Sequence, residues 1–264
     1  VAELRYRDEA AASYDALMGR MAAHFVPVLI RAARLAPGQH VLDIATGTGL
    51  AAEPALAAVA PTGHVTAADV APAMFAKARE RLGARADLAL LVADGRSLPF
   101  AEASFDALLC SLGLMFFPDP AQGLSEFRRV LRPGARAAVS VNTVPERSLN
   151  ARVSAAIGRR VSALAEATAR VFSLGDAARL RSLFEAAGFT DVEVTTEARR
   201  FTFASFGAFF EPIEQGGTSS GQAFIALPKD VRRAVREEVR RDLNDAGGPI
   251  DVEVEIRFAG GVRR

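Results

Sequence analysis

Two hydrophobic rhythms alternate along the chain, one of helical spacing and one of short continuous runs. Over residues 9–35 the apolar positions Ala12, Leu17, Met21, Phe25, Leu29 and Ala32 recur as on one helix face, with Pro27 expected to kink the helix or start a new one. Pro37-Gly38-Gln39 is a turn. After it come short apolar runs at 40–45, 63–69, 88–92 and 104–111, ending in small, polar or acidic residues, as strands buried on both faces do. Helices are predicted from Leu50, over 71–82, and over 120–131, where Leu124, Phe127, Val130 and Leu131 share a face. Pro133-Gly134 stops the last of these, and 135–141 is a fifth strand.

Short strands alternating with helices predict βαβ units, hence an α/β fold with a doubly wound, mostly parallel sheet and right-handed crossovers. Beyond residue 141 the rhythm changes. A helix is predicted over 148–171, another over 177–187 ending at Gly188, and an alternating strand over 190–196. Residues 201–213 hold Phe201, Phe203, Phe206, Phe209 and Phe210, a density that calls for a core or an apolar pocket. A flexible loop at 216–221, a charged helix at 228–243 and a final strand at 250–258 follow. The two late strands are expected to pair antiparallel with helices inserted between them, completing a seven-stranded sheet. The chain then reads as one domain, 1–264, with a helical cap over 1–36, a core over 37–142 and helical lid elements over 143–175 and 201–248.

Composition narrows this picture. With 50% apolar and 24% charged residues the 264-residue chain can bury a full core. A net charge of +1 offers little field for a polyanion, so nucleic acid is not an expected partner. Cys110 stands alone, excluding an internal disulfide or a thiolate metal cluster and fitting a cytoplasmic setting. The first residues do not read as a signal peptide, and the alanine-rich stretch 51–60 is broken by Glu53 and Pro54 and is too short to span a membrane.

Candidate chemistry collects at the carboxyl ends of the strands, where ligands of open parallel sheets bind. Gly47 and Gly49 follow the first strand and allow close backbone approach. Asp69 ends the second strand and can accept from two ribose hydroxyls or cap the next helix. Asp94, with Gly95, ends the third and can accept from an adenine amine or make a turn. Asp43 lies inside the first strand, two residues before the loop Ala45-Thr46-Gly47-Thr48-Gly49. A carboxylate there repels a pyrophosphate, yet it can organise the loop or receive a cationic amino group. No Gly-Lys-Ser/Thr follows these glycines, which excludes a Walker A loop.

The run Val41-Leu42-Asp43-Ile44-Ala45-Thr46-Gly47-Thr48-Gly49 resembles the first motif of the class I S-adenosylmethionine-dependent methyltransferases, with Ala45 where glycine is usual. An alanine is expected to fit there if the loop keeps a negative φ. The resemblance continues through Asp69, Val70 and Met74, through residues 94–100 and 104–106, and through 111–120 and 126–134. Within the class the chain is similar to ubiquinone and menaquinone C-methyltransferases and to small-molecule methyltransferases of secondary metabolism. The resemblance implies a Rossmann-like methyltransferase fold and S-adenosylmethionine as cofactor, with S-adenosylhomocysteine as product. It implies that Asp43, Ala45, Thr46, Gly47, Thr48 and Gly49 face the amino acid part, Asp69 the ribose, Val70 and Met74 the adenine plane, and Asp94 and Gly95 its amine. Ser111 and Leu112 would lie near the sulfonium. Tyr14 would close the site and Arg20 would meet the cofactor carboxylate.

The reaction so implied is in-line transfer of a methyl group to an O, C or N nucleophile, by positioning and water exclusion. The acceptor is expected to be an apolar, aromatic or polyketide-like small molecule against Met115, Phe116, Phe206 and Phe210. His24 is the one candidate base. His40 and His64 precede their strands and lie at the wrong end of the sheet. No metal site is expected, and a monomer or homodimer fits. Two other readings stay open: an NAD-type oxidoreductase, opposed by Asp43 and the missing third glycine, and a cofactor-binding member that moves no methyl group.

Overall fold

The computed structural model describes residues 14–264, so the part of the expected helical cap before Tyr14, including Ala12, lies outside the described residues. Its strands are β1 (His40–Ile44), β2 (His64–Asp69), β3 (Leu88–Val92), β4 (Phe105–Ser111), β5 (Leu131–Asn142), β6 (Phe189–Phe203) and β7 (Ile250–Arg263). They form one seven-stranded sheet in the order β3-β2-β1-β4-β5-β7-β6. β1 to β5 pair in parallel, and β7 runs antiparallel to both β5 and β6. The order reverses between β1 and β4, the place where a crevice opens at the carboxyl ends of the strands.

A π-helical turn, Asp15–Gly19, continues as α1 (Arg20–Ala23) and is followed by α2 (Val26–Ala33). The later helices are α3 (Ala52–Val59), α4 (Pro72–Leu82), α5 (Pro120–Val130), α6 (Leu149–Arg160), α7 (Ser162–Ala169), α8 (Ala177–Ala186), α9 (Phe206–Glu214), α10 (Ser219–Ile225) and α11 (Lys229–Asp242). Proline sets the start of α2, α4 and α5, where its missing N–H costs nothing. Side chains of Asp119, Asp176, Ser205 and Thr218 accept from backbone amides to cap α5, α8, α9 and α10. The central strands are buried on both faces, as their unbroken apolar runs require.

The later part of the chain departs from expectation in three places. β6 runs to Phe203 and β7 to Arg263, well beyond Thr196 and Phe258. β6 is an edge strand, so residues 197–200, Glu-Ala-Arg-Arg, meet solvent and lack an apolar run, while β7 supplies the ladder down to the pair Phe203 with Ile250. Phe201 and Phe203 are therefore strand residues rather than lid. The helix expected over 148–171 breaks at Val161, which takes an extended φ of −132° between α6 and α7. The loop expected at 216–221 already contains the first turn of α10, nucleated by the Thr218 cap. α6 packs against α10 and α11, and α9 reaches the π-helical turn, so the inserted helices and the N-terminal turn meet over the crevice end of the sheet.

Candidate active site

The loop after β1 holds its shape through two carboxylates and several amides. Asp43 is fully buried, and its Oδ2 accepts from Thr46 Oγ1 at 2.6 Å. Its Oδ1 is buried with no hydrogen-bond partner. Burial pushes the Asp43 carboxyl up to about 7, reinforced by the nearby Asp69 charge and opposed by the Thr46 hydroxyl and the Ala52 amide. Asp69, 8% exposed, accepts from Gly47 N and from Ala71 N, both at 2.8 Å. One carboxylate thus ties the loop after β1 to the start of α4. Burial holds Asp69 above the usual carboxylate range against these amides. With the Val70 amide also against it, the carboxylate still keeps lone-pair capacity for a ligand.

Ala45 corrects the expectation of a negative φ. Its φ is +54°, the left-handed region that costs a side chain about 1–2 kcal/mol. Room for its methyl comes from across the site, where a Cβ on Gly113 would lie 2.4 Å from Ala45 Cβ and 3.0 Å from Cys110 Sγ. Leu112, beside Gly113, is itself left-handed at φ +52°, so the ends of the adjacent strands β1 and β4 both store strain. Gly113→Ala is expected to destabilise the fold by about 1–3 kcal/mol through overpacking. Ala45→Gly should be neutral to stabilising by up to about 1 kcal/mol and should restore most of the loss in the double variant. Urea denaturation midpoints read all three; additive effects would show that the two sites do not touch.

Gly47 (φ +58°) has open space where a Cβ would stand, so its backbone faces the crevice. Gly49 (φ +85°) serves packing as well, since a Cβ there would meet Leu82 of α4 at 2.9 Å. Gly95 is likewise a packing position, leaving room for Phe117. Asp94 is committed to Arg96, with Arg96 Nε at 3.1 Å and Arg96 N at 2.9 Å from Oδ1 and Nη2 at 2.7 Å from Oδ2. That guanidinium holds its carboxyl below the usual range and leaves Oδ2 the freer acceptor. Met74 is buried on the inner face of α4. Val70 and Val92, at the ends of β2 and β3, stay 66% and 56% exposed, an apolar shelf beside Asp69.

Next to this loop lies a narrow, partly open cleft. Tyr14, Met18, Leu112, Met115, Phe116, Asn142, Thr218 and Ser219 line it. Burial, with Asp15 and Asp69 nearby, pushes the Tyr14 hydroxyl up to about 12, so it stays protonated. Of the expected pocket residues Met115 and Phe116 are present, and Ser111 is half-buried at the adjoining strand end. Phe206 and Phe210 are not in the lining. They stack on each other at 5.2 Å inside the core of the inserted helices, with Arg236 over both rings. His24 is corrected too: it is exposed and packs edge-on against Phe201 at 5.3 Å, outside the cleft lining. Arg20 is exposed on α1. Met18, Asn142, Thr218 and Ser219 escaped the sequence reading. Asn142 carried a usable signal, since it ends β5 as Asp69 ends β2. Among the described residues no group of three or more His, Cys, Asp or Glu could hold a metal ion, and no helix is long and apolar enough to cross a membrane.

An open backbone at Gly47, an orphaned buried oxygen on Asp43, spare lone pairs on Asp69 and the Val70–Val92 shelf form a donor set that fits a nucleoside carrying a cationic group. Comparison with known proteins agrees. The family described as "Methyltransferase domain" matches residues 42–139. Over 176 residues the chain is 35% identical to a demethylmenaquinone methyltransferase of Clavibacter sepedonicus, covering 62% of this chain and 70% of that protein. Of the relatives that follow, the chain spans about half the length or less. The solved YcgJ protein of Bacillus subtilis superposes with a TM-score of 0.64 at 20% identity, covering 91% of this chain and 98% of that one. Haemonchus contortus phosphoethanolamine N-methyltransferase 2, solved with S-adenosyl-L-methionine, gives 0.62 at 18% identity over 98% of this chain and 58% of that one. These two likenesses bear on the fold alone.

Proposed function

The chain belongs to the class I S-adenosylmethionine-dependent methyltransferases, and from that membership we propose that it methylates an O, C or N nucleophile of an apolar, aromatic or polyketide-like small molecule. The observation that carries this reading is the adjacency of the glycine loop and the cleft: Ala45 on the loop touches Gly113, whose neighbour Leu112 lines the cleft. When bound, the cofactor supplies a methyl group already activated on a positively charged sulfur.

In this reading Thr46, Gly47, Thr48 and Gly49 shape the loop that meets the amino acid part, and Asp43 balances its ammonium. Asp69 accepts from the ribose, and Val70 with Val92 flank the adenine, whose amine the freer Asp94 oxygen can receive. The cleft holds the acceptor by shape against Met18, Met115 and Phe116, and excludes water from the reacting atom. Tyr14, kept protonated, donates a hydrogen bond to an acceptor oxygen rather than removing a proton, and Asn142 and Ser219 offer further polar contacts. Such a site suits acceptors that ionise readily, as phenols and enols do, and needs no histidine base. The demethylmenaquinone methyltransferases among its relatives make demethylmenaquinone one compound for the test panel.

Incubation with methyl-labelled donor and a panel of phenols, quinols and polyketides is expected to label at least one acceptor. Binding of S-adenosylhomocysteine without transfer to any of them would favour a member that has left methyl transfer. Tight NAD(H) binding with no affinity for S-adenosylhomocysteine would favour the oxidoreductase.

A further inference from the structure

Three residues from three separate elements close a ring beside the cofactor loop. Asp15 Oδ1 accepts from Thr48 Oγ1 at 2.7 Å, Arg81 Nη2 of α4 meets Asp15 Oδ2 at 2.7 Å, and Arg81 Nε donates to the Thr48 carbonyl at 2.8 Å. Thr48 is 1% exposed and stands between two glycines of positive φ. The ring therefore grips the most permissive part of the loop.

From the geometry of this ring we infer that Asp15 is a positioning residue that couples the cofactor loop to the acceptor cleft, an inference that rests on the methyl-transfer reading above. Asp15 opens the π-helical turn, a form of helix common at functional sites. Gly19 closes that turn, and a Cβ there would stand 2.7 Å from Asp15 Oδ1. Glycine at 19 is what leaves the carboxylate its place. Tyr14 and Met18, one residue before Asp15 and three after it, line the acceptor cleft. One turn thus carries a carboxylate that reads the loop and two side chains that form the cleft wall. Loop and wall cannot rearrange independently while the ring is closed.

Asp15 and Arg81 are about one-third exposed, so their ion pair contributes little to folding. Its effect is on coupling. A ligand that settles the Thr48 loop favours the closed turn, and by linkage an acceptor seated against Tyr14 and Met18 favours the ligand-bound loop.

The test titrates S-adenosylhomocysteine into wild type, Asp15→Ala, Asp15→Asn, Thr48→Val and the Asp15→Ala/Thr48→Val double variant, and follows tryptic cleavage after the exposed Arg20 with and without it. In wild type the ligand should slow cleavage at Arg20. Asp15→Ala should bind about tenfold more weakly and should lose that protection, while its unliganded melting temperature falls only modestly, because the buried Thr48 hydroxyl loses its acceptor. Asp15→Asn, which keeps an acceptor for Thr48, should fall between. The double variant should be no weaker than the worse single one, because both break the same ring. Wild-type affinity and protection in Asp15→Ala would overturn the inference alone. A wild type that does not bind S-adenosylhomocysteine would overturn the donor assignment, and the inference with it.

Discussion

Without ligand, the Asp43 carboxyl is expected to withdraw on the order of 4 kcal/mol of stability as pH rises from about 4 through 7, and Asp43→Asn should remove that contribution from the pH dependence. The folded carboxyl keeps its proton up to about 7, whereas in the unfolded chain it lets go near its ordinary value of 3.8. Between those values the folded state binds more protons, so the stability contributed by the neutral acid is complete below the lower value and is lost through the upper one. Asparagine keeps an oxygen for Thr46 and carries no charge, although its buried NH2 then lacks an acceptor, so absolute stability will move less than slope. Urea unfolding of both proteins at several pH values gives the comparison; parallel curves would mean that Asp43 is solvated in solution. A cationic ligand reverses the preference, so the affinity of the wild type for S-adenosylhomocysteine should rise as pH passes through 7, with proton release measurable by calorimetry in two buffers.

Asp69→Ala is expected to weaken S-adenosylhomocysteine binding by about 1–3 kcal/mol, through lost charge-assisted bonds to two hydroxyls. The same change strands Gly47 N and Ala71 N, which now share its oxygens, so a stability loss of about 1–2 kcal/mol should accompany it. Asp69→Asn separates the two roles, since it retains one acceptor and loses the charge. Affinity and melting temperature measured together decide the matter. A fall in melting temperature with unaltered affinity would leave Asp69 as a tie between two loops and nothing more.

The parts of the chain legible in advance were those whose burial is symmetrical. β1, β2 and β4 lie between layers, so their apolar runs stand out, and proline and glycine punctuate the helices that follow. The far half of β6 is not legible because its outer residues meet water and look like loop; its partner strand, distant in sequence, supplies the reason it is a strand. Asp43, Asp69 and Asp94 were visible by position, but position does not reveal prior commitments, and Arg96 and the loop amides already occupy part of these carboxylates. The cleft is harder to read from the sequence. Phe206 and Phe210 are conspicuous by size, yet large apolar side chains serve the core of the inserted helices first. The lining they were expected to provide comes instead from Thr218 and Ser219, whose place depends on how α10 packs. Ala45 stands out in the sequence as a departure, but its compensation at Gly113 lies 68 residues away.

The pairing of Phe203 with Ile250 has a consequence for how such an enzyme changes over time. The insert between β6 and β7 leaves and re-enters the sheet at facing residues, so the sheet is indifferent to what bridges the gap, and a tight hairpin would close it as well. Insertions, deletions or wholesale exchange between those two residues can alter the Thr218 and Ser219 side of the cleft while the strand ends bearing Asp43 and Asp69 stay where they are. The fold is in this sense a socket with a replaceable fitting, and new acceptors can be explored without renegotiating the donor.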